Sequence, residues 1–416
     1  MESVGRIDPP PWMTAPETRA VLDALGAEGA VVRLVGGAVR DAVIGRPHGG
    51  TDIDIATPDT PETVIRLLEA AGLRAVPTGL KHGTVTAVAG RQPFEITTLR
   101  RDMETDGRHA TVAFTDDWAA DAARRDFTMN ALYCDPGGTL YDPVGGIADI
   151  KAERVRFIGD GRTRIDEDAL RILRFFRFHA HYGATAADSD ALDACRAKAA
   201  AVVALSGERI GAEMLKLLAA ADPTEALTLM IDSGVMAHLL PGVGDAGPLS
   251  ALCQAEAGEP DALRRLALLL RPGGGATAAA QRLRLSNHQH DRLVAMVEPA
   301  VAVVCGLDRH AQRRFLHRVG APNFMDLVFL AWAEAAFHEQ RGADAMAEPY
   351  QALIETARDW TAPSLPVSGA DVVALGVDPG PAVGRLLAAV EDWWMAGDFQ
   401  AGREEVLARL KALVND

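Results

Sequence analysis

Asp52 and Asp54 lie two residues apart in the run Thr51-Asp52-Ile53-Asp54-Ile55. Side chains alternate across a β-strand, so Ile53 and Ile55 are expected in a core and the two carboxylates side by side in a cleft. Adjacent carboxylates repel unless a divalent cation sits between them, and Mg²⁺ takes oxygen ligands of this kind. Upstream, Gly36 and Gly37 offer bare backbone at a helix start, which can approach a phosphate closely. Arg40, one turn into that helix, can reach the same phosphates. Metal-binding acids beside a phosphate cradle are the apparatus of phosphoryl or nucleotidyl transfer. Singly these signals are weak: a two-glycine turn is usually only a turn, and an acid-x-acid pair usually a solvated strand face. The order G-G-x-x-R-D, then D-x-D on the next strand, is much more specific.

Three further groups extend the pattern. Glu95 lies on an expected strand, Phe94 to Leu99, and becomes a third carboxylate if that strand borders the Asp52 strand; the alternative is an edge-strand glutamate. Arg124, Arg125 and Asp126 precede an apolar-polar alternation ending at Asn130. A guanidinium fork donates two bonds at once to a phosphate, although Arg124 and Asp126 also suit a structural ion pair. Arg164 to Phe178 reads as one helix, apolar all round yet carrying Asp168, Arg171, Arg174 and Arg177, which are costly inside without partners. Asp168 and Arg171, three apart, form one polar edge. Asp accepts from an exocyclic amine, and Arg donates to ring nitrogen or carbonyl acceptors. Cytosine and adenine carry an amine where uracil and guanine carry a carbonyl, so the pair can accept C or A and reject U and G. The alternative is a salt bridge joining two helices.

Taken together, GGAVRD with DID, RRDFTMNA and EDALR resemble the signatures of class II tRNA CCA-adding enzymes and bacterial poly(A) polymerases. The resemblance is strong from Val35 to about Leu240 and weak from Pro366 to Trp394. It implies an α+β fold: a small mixed-sheet nucleotidyltransferase head, then an all-helical neck, body and tail. It implies that Asp52, Asp54 and Glu95 are catalytic, with Asp52 and Asp54 holding two Mg²⁺. Gly36, Gly37, Arg40 and Arg125 would hold the triphosphate, and Asp126 and Asn130 would organise the sugar and a loop. Glu167, Asp168 and Arg171 would select the base, with Arg174 and Arg177 in support. The implied activity is addition of C, C and A to the 3′ end of tRNA from CTP and ATP. The alternatives are poly(A) addition or a non-catalytic RNA-binding relative. The segment Asp102 to Thr115 matches a loop implied to help switch from C to A. Thr139 to Asp149 matches the element leaving the sheet and reads as structural, and Ser206 to Glu213 resembles the next element, where Arg209 could contact the nucleotide or brace the previous helix. The spacing from Arg40 to Asp52 is longer than usual for the family, with Gly49-Gly50 as the insertion.

The elements that must position these residues are read from periodicity. Helices are expected at Pro16 to Leu25, Glu62 to Ala71, Ala262 to Leu270, Thr277 to Leu285 and Gln289 to Val304, and strands at Val31 to Val35 and Thr84 to Ala89. The chain has 416 residues, too many for one core. The expected division is a head at 1–150, a neck at 151–240, and a body and tail at 241–350 and 351–416 with tRNA contacts. In the tail, the amides of Gly380, Val383 and Gly384 are offered to an RNA phosphate, and Trp393 and Trp394 read as core. Histidines 288, 290, 310 and 317 lack metal-ligand spacing and read as surface or phosphate-contacting.

The net charge of −15 argues against a general nucleic-acid binder. From Arg264 to Arg318, however, ten arginines face three acids, which suits a protein gripping one RNA in one place, or simply exposed Arg-rich helices. No run approaches a membrane span, the N-terminus lacks a signal-peptide core, and the four cysteines form no CxxC. These point to a cytoplasmic protein without a membrane or an obligate protein partner.

Overall fold

The computed structural model describes residues 1–47, 53–102, 112–184, 186–299 and 306–415. Asp52 lies outside the described residues, as do Gly49, Gly50 and residues 103–111 of the expected loop. The chain divides into two compact units, Met1–Glu213 with Asp232–Leu239, and Met214–Ile231 with Leu240–Asp416.

In the first unit the strands are β1 (Gly5–Arg6), β2 (Arg33–Val35), β3 (Ile53–Thr57), β4 (Arg74–Gly79), β5 (Thr84–Ala89), β6 (Gln92–Thr98), β7 (Arg100–Asp102), β8 (Val112–Phe114), β9 (Tyr133–Cys134) and β10 (Thr139–Tyr141). Among the described residues eight form one sheet, ordered β1-β10-β9-β2-β3-β6-β5-β4, while β7 and β8 pair separately. The β3–β6 pair is parallel and the others are antiparallel, so the sheet is mixed as expected.

The helices of this unit are α1 (Pro11–Thr14), α2 (Pro16–Gly26), α3 (Gly37–Ile44), α4 (Pro61–Ala70), α5 (Trp118–Ala123), α6 (Gly146–Lys151), α7 (Gly161–Glu167), α8 (Leu170–Tyr182), α9 (Ser189–Ala197) and α10 (Gly207–Leu218). The α4 start follows from its sequence: Thr60 caps the Thr63 amide and Pro61 occupies the first turn. Val64 and Leu68 of α4 and Val21, Leu22 and Leu25 of α2 pack in one core with Leu34, Ile53, Ile55, Phe94 and Ile96 of the sheet. Each fully buried aliphatic or aromatic side chain there contributes roughly 1.5–3 kcal/mol. That burial sets the phase of β3: Ile53 and Ile55 face inward, which turns Asp54 to the opposite face.

The second unit is helical among its described residues. After α11 (Thr224–Asp232), α12 (Val235–Leu239) belongs to the first unit, and the second continues with α13 (Pro248–Glu256), α14 (Ala262–Leu270), α15 (Ala276–Arg282), α16 (Asn287–Val297), α17 (Arg309–Val319), α18 (Ala321–His338), α19 (Ala347–Arg358), α20 (Gly369–Ala374), α21 (Pro381–Ala396) and α22 (Arg403–Asn415). Helix α16 stops at Val297, short of the expected Val304. Glu298 precedes Pro299 and takes φ −120°, ψ 62°, outside the helical region that a following proline disfavours.

The Arg-rich segment is largely neutralised within this unit. Arg264 pairs with Asp326 and Glu256, each at 2.9 Å; Arg265 pairs with Glu256 at 2.8 Å; Arg292 pairs with Asp261 at 2.6 Å and Asp326 at 2.7 Å. Arg271, Arg313 and Arg318 likewise meet Glu334, Asp398 and Asp392. The acids come mostly from outside the segment, so a local charge count overstated its free positive charge. His317 is not a surface histidine: its Nε2 meets Glu391 at 2.9 Å and its ring packs against Trp394 and Phe399. Trp394 is core, but Trp393 is exposed, and the Val383 amide is already bonded to the Gly380 carbonyl at 3.1 Å. Among the described residues no helix is long and apolar enough to cross a membrane.

Candidate active site

The turn from β2 into α3 is built around Asp54. Val35 pairs with Asp54 across β2 and β3, and the chain then enters Gly36 at φ +78°. A Cβ at Gly36 would lie 3.2 Å from Asp54 Oδ2, so glycine is required both by backbone angle and by close approach. On its other side, the parallel β3–β6 register sets Asp54 directly beside Glu95. In-register residues of paired strands share a face, so the two carboxylates project together, Glu95 into solvent. Among the described residues no three His, Cys, Asp or Glu side chains converge as a metal site. The donors present are nonetheless hard carboxylate oxygens on one strand face, which fits a divalent cation.

The segment after α5 is held by an acid that sequence reasoning passed over. Asp117 caps α5, and Asp121, 1% exposed on the next turn, accepts from Arg124 Nη2 at 2.7 Å, Arg125 Nη2 at 3.1 Å and Tyr133 Oη at 2.7 Å. Burial raises the Asp121 pKa, but the Arg125 and Arg124 charges and the Tyr133 hydroxyl outweigh it and hold the carboxyl at about 2. The signal was readable: Asp121 sits three and four residues before the two arginines, the spacing at which helix side chains meet. Asp126 is likewise saturated. It accepts from the Phe127 amide at 2.8 Å, Asn130 Nδ2 at 3.2 Å and Arg174 Nε at 2.6 Å. Burial pushes its pKa up, yet the Arg174 charge and these donors bring it below the ordinary value.

The exit element anchors this segment. Gly146 opens α6 where a Cβ would stand 2.2 Å from the Thr128 carbonyl. Asp142 caps the Gly146 and Ile147 amides, and buried Asp149 accepts from Thr128 Oγ1 at 2.7 Å.

The expected single helix from Arg164 to Phe178 is two. Helix α7 ends at Glu167, Asp168 is extended at φ −154°, ψ 105°, and α8 begins at Leu170. Asp168 Oδ1 accepts from the Leu170 amide at 3.1 Å, a local side-chain-to-backbone bond that competes with the helical path and explains the break. Asp168 and Arg171 therefore do not pair with each other. Asp168 Oδ2 meets Arg209 at 2.6 Å; Arg171 meets Glu167 and donates to the carbonyls of Arg164 at 2.8 Å and Arg124 at 3.0 Å. Arg177 meets Glu213 at 2.6 Å, and burial lowers its pKa against that partner's charge. The apolar side of α8 seats on the preceding motif, with Phe127 5.3 Å from Phe178 and 4.9 Å from Phe157 between ring centroids.

These segments enclose a cleft of about 430 Å³ lined by Gly36, Gly37, Arg40, Asp54, Arg124, Arg125, Asp126, Asn130, Asp168, Leu170, Arg171, Arg174, Arg177, Phe178 and Arg209. Seven arginines line it, and each also meets an acid in or behind the lining (Asp41, Asp121, Glu167, Asp126, Glu213 or Asp168), so the cleft offers a polyphosphate many fixed guanidinium donors rather than a large free charge. Glu95 and Glu167 do not line it; Glu167 is occupied by Arg164 and Arg171. Arg40 lines the cleft but is buried, donating to Asn130 Oδ1 at 2.7 Å and Asp41 Oδ1 at 2.8 Å. Phe178, Asp121 and Glu213 had no expected role, and Arg124, for which an ion pair with Asp126 was the alternative, pairs with Asp121 instead while Asp126 takes Arg174. A larger cleft of about 930 Å³ in the second unit contains none of the motif residues, and its Arg264 and Arg292 are spent on Asp326, Asp261 and Glu256.

Residues 32–156 match the model of the poly A polymerase head domain, and 188–246 match that of a probable RNA- and SrmB-binding site of polymerase A. The chain is 36% identical to the CCA tRNA nucleotidyltransferase 1, mitochondrial, of Danio rerio, covering 91% of this chain and 86% of that protein. It is 30% identical to the CCA-adding enzyme of Levilactobacillus brevis, covering 90% and 91%. The crystal structure of the Bacillus stearothermophilus CCA-adding enzyme in complex with CTP superposes with a TM-score of 0.78 at 27% identity, over 97% of this chain and 98% of that one. With its mixed-sheet head, its arginine-lined cleft and relatives of this kind along nearly its whole length, the chain belongs to the CCA-adding tRNA nucleotidyltransferase family.

Proposed function

We propose that this protein adds C, C and A to the 3′ end of tRNA without a template, drawing on CTP and ATP and releasing pyrophosphate. One observation carries the reading: Asp54, beside Glu95, faces the same cleft as the Arg125 and Asp168–Arg171 groups. The family's chemistry uses a divalent metal. We take it to be Mg²⁺, held by Asp52 and Asp54 with Glu95 as the third carboxylate. When bound, it lowers the pKa of the RNA 3′-hydroxyl and neutralises triphosphate charge.

The chain's own residues then divide the work. The Gly36–Gly37 backbone and Arg125 hold the triphosphate. Arg40, already bonded to Asp41 and Asn130, acts by fixing α3 rather than by direct phosphate contact. Asp126 and Asn130 organise the sugar side. Asp168 accepts from the N4 amine of cytosine or the N6 amine of adenine, and Arg171 donates to the ring nitrogen or carbonyl; Glu167 and Arg209 hold these two in place. Arg174 and Arg177, tied to Asp126 and Glu213, support the α8 geometry. We further propose the division into head 1–150, neck 151–240, body 241–350 and tail 351–416, with RNA contacts in the last two, and action in the cytoplasm.

Incubation with tRNA lacking its terminal CCA and with single labelled nucleotides tests the reading. The expected product carries C from CTP alone and the full end from CTP with ATP. Long runs of A from ATP alone would instead assign poly(A) synthesis, the activity in the matched head model's description.

A further inference from the structure

Besides the Arg171 bond to the Arg124 carbonyl and the packing of Phe178 on Phe127, two polar ties two turns apart fasten helix α8 to the head. At Arg174 it is tied to Asp126, and through Asn130 to Arg40. At its last residue, Tyr182, it closes back on α3. Tyr182 Oη accepts from Arg40 Nη2 and donates to Asp41 Oδ1 at 3.2 Å, and the Arg40 guanidinium lies 4.0 Å over the ring centroid. Arg46, just past α3, sits 4.8 Å from the same ring and donates to the His181 carbonyl at 2.8 Å. Burial raises the Tyr182 pKa, so its hydroxyl stays protonated and keeps its donor role.

We propose that Tyr182 is a positioning residue for nucleotide selection. It sets the angle of α8 against the Gly36–Gly37 turn, and so the separation between the base edge read from Arg171 and the triphosphate held by α3. Arg171 and Tyr182 are eleven residues apart, three turns of helix, so a tilt released at the far end is passed along α8 and loads the Arg171 bond to the Arg124 carbonyl. Asp168 accepts from the Leu170 amide at 3.1 Å and, through its carbonyl, from the Arg171 amide at 3.0 Å, so it moves with the start of α8. The placement of this pair relative to the triphosphate is what brings the amine of the correct base into register and leaves a carbonyl out of it.

The inference rests on the proposed base-reading role, and the test separates the two. CTP and UTP binding to Tyr182→Phe, Tyr182→Leu and wild type is measured by calorimetry in Mg²⁺, alongside kcat and KM for transfer to tRNA and the thermal midpoint. Removing the hydroxyl in Tyr182→Phe is expected to weaken CTP binding and raise its KM about tenfold, with kcat changed less. The preference for CTP over UTP should narrow by a similar factor, and further in Tyr182→Leu. Preference unchanged within twofold in both variants, whatever happens to the thermal midpoint, overturns the positioning role. Failure of wild type to transfer any nucleotide overturns the reaction instead, while the calorimetric preference still decides Tyr182.

Discussion

Asp126 receives the guanidinium of Arg174 at 2.5 Å, joining the segment after α5 to α8 across 48 residues of sequence. The pair links the triphosphate side of the cleft to the base-reading side. Removing the acid leaves Arg174 largely buried beside Glu213, whose nearest approach is 3.9 Å. Asp126→Ala is expected to cost about 3 kcal/mol of unfolding free energy and to raise the KM for both nucleotides. Urea denaturation together with steady-state kinetics checks both, and unchanged KM values would show that the link is structural only.

Asp121 makes stability depend on acid pH. Its folded pKa of about 2 lies below the ordinary carboxylate value, so its contribution is full above about pH 4 and is lost as pH falls towards 2. The size is about 2 kcal/mol. Unfolding free energies of wild type and Asp121→Asn, compared at pH 6 and pH 3, should differ more at pH 6. Parallel curves would refute the assignment.

Gly36→Ala combines a positive φ with a contact at 3.2 Å on Asp54 Oδ2. The backbone strain costs roughly 1–2 kcal/mol, and the displaced carboxylate should lower kcat by about tenfold or more. Gly37→Ala is the control, because its nearest foreign atom, Arg40 Nη2, lies at an ordinary 3.6 Å. Equal loss in both variants would show that the Asp54 contact is not the cause.

The carboxylates of β3 and β6 are separable. Asp54→Asn should abolish transfer at any Mg²⁺ concentration, while retaining tRNA affinity. Glu95→Gln should raise the Mg²⁺ concentration for half-maximal rate by about tenfold while sparing much of the maximal rate. The edge-strand alternative is already excluded, because β6 lies between β3 and β5; a Glu95→Gln titration superimposable on wild type would make Glu95 an ordinary exposed residue of an interior strand.

In the second unit, Asp326 is 2% exposed and carries both Arg264 and Arg292. Asp326→Ala leaves Arg264 with Glu256 and Arg292 with Asp261 but removes the acid they share, and should cost about 3 kcal/mol. CTP affinity should stay within twofold, since none of the three residues lines the nucleotide cleft. A selective loss of CTP binding would show that this cluster takes part in nucleotide binding.

What could be read from the chain alone was whatever local chemistry repeats in a strict order. The GGAVRD–DID, RRDFTMNA and EDALR runs pointed to the family to which the chain belongs, and the two-residue alternation around Ile53 and Ile55 fixed which way Asp54 would turn. Tertiary structure decided what alternation and charge counting cannot reach. The parallel β3–β6 register put Glu95 beside Asp54. The Asp168 side chain broke the expected helix, because its bond to the Leu170 amide competes with the helical path. Partners remote in sequence, Asp326 for Arg292 and Asp41 for Tyr182, determined which charges are spent and which face the cleft. Charge is counted along a chain but neutralised through space, where desolvation favours a buried arginine that meets an acid, as Arg265 meets Glu256.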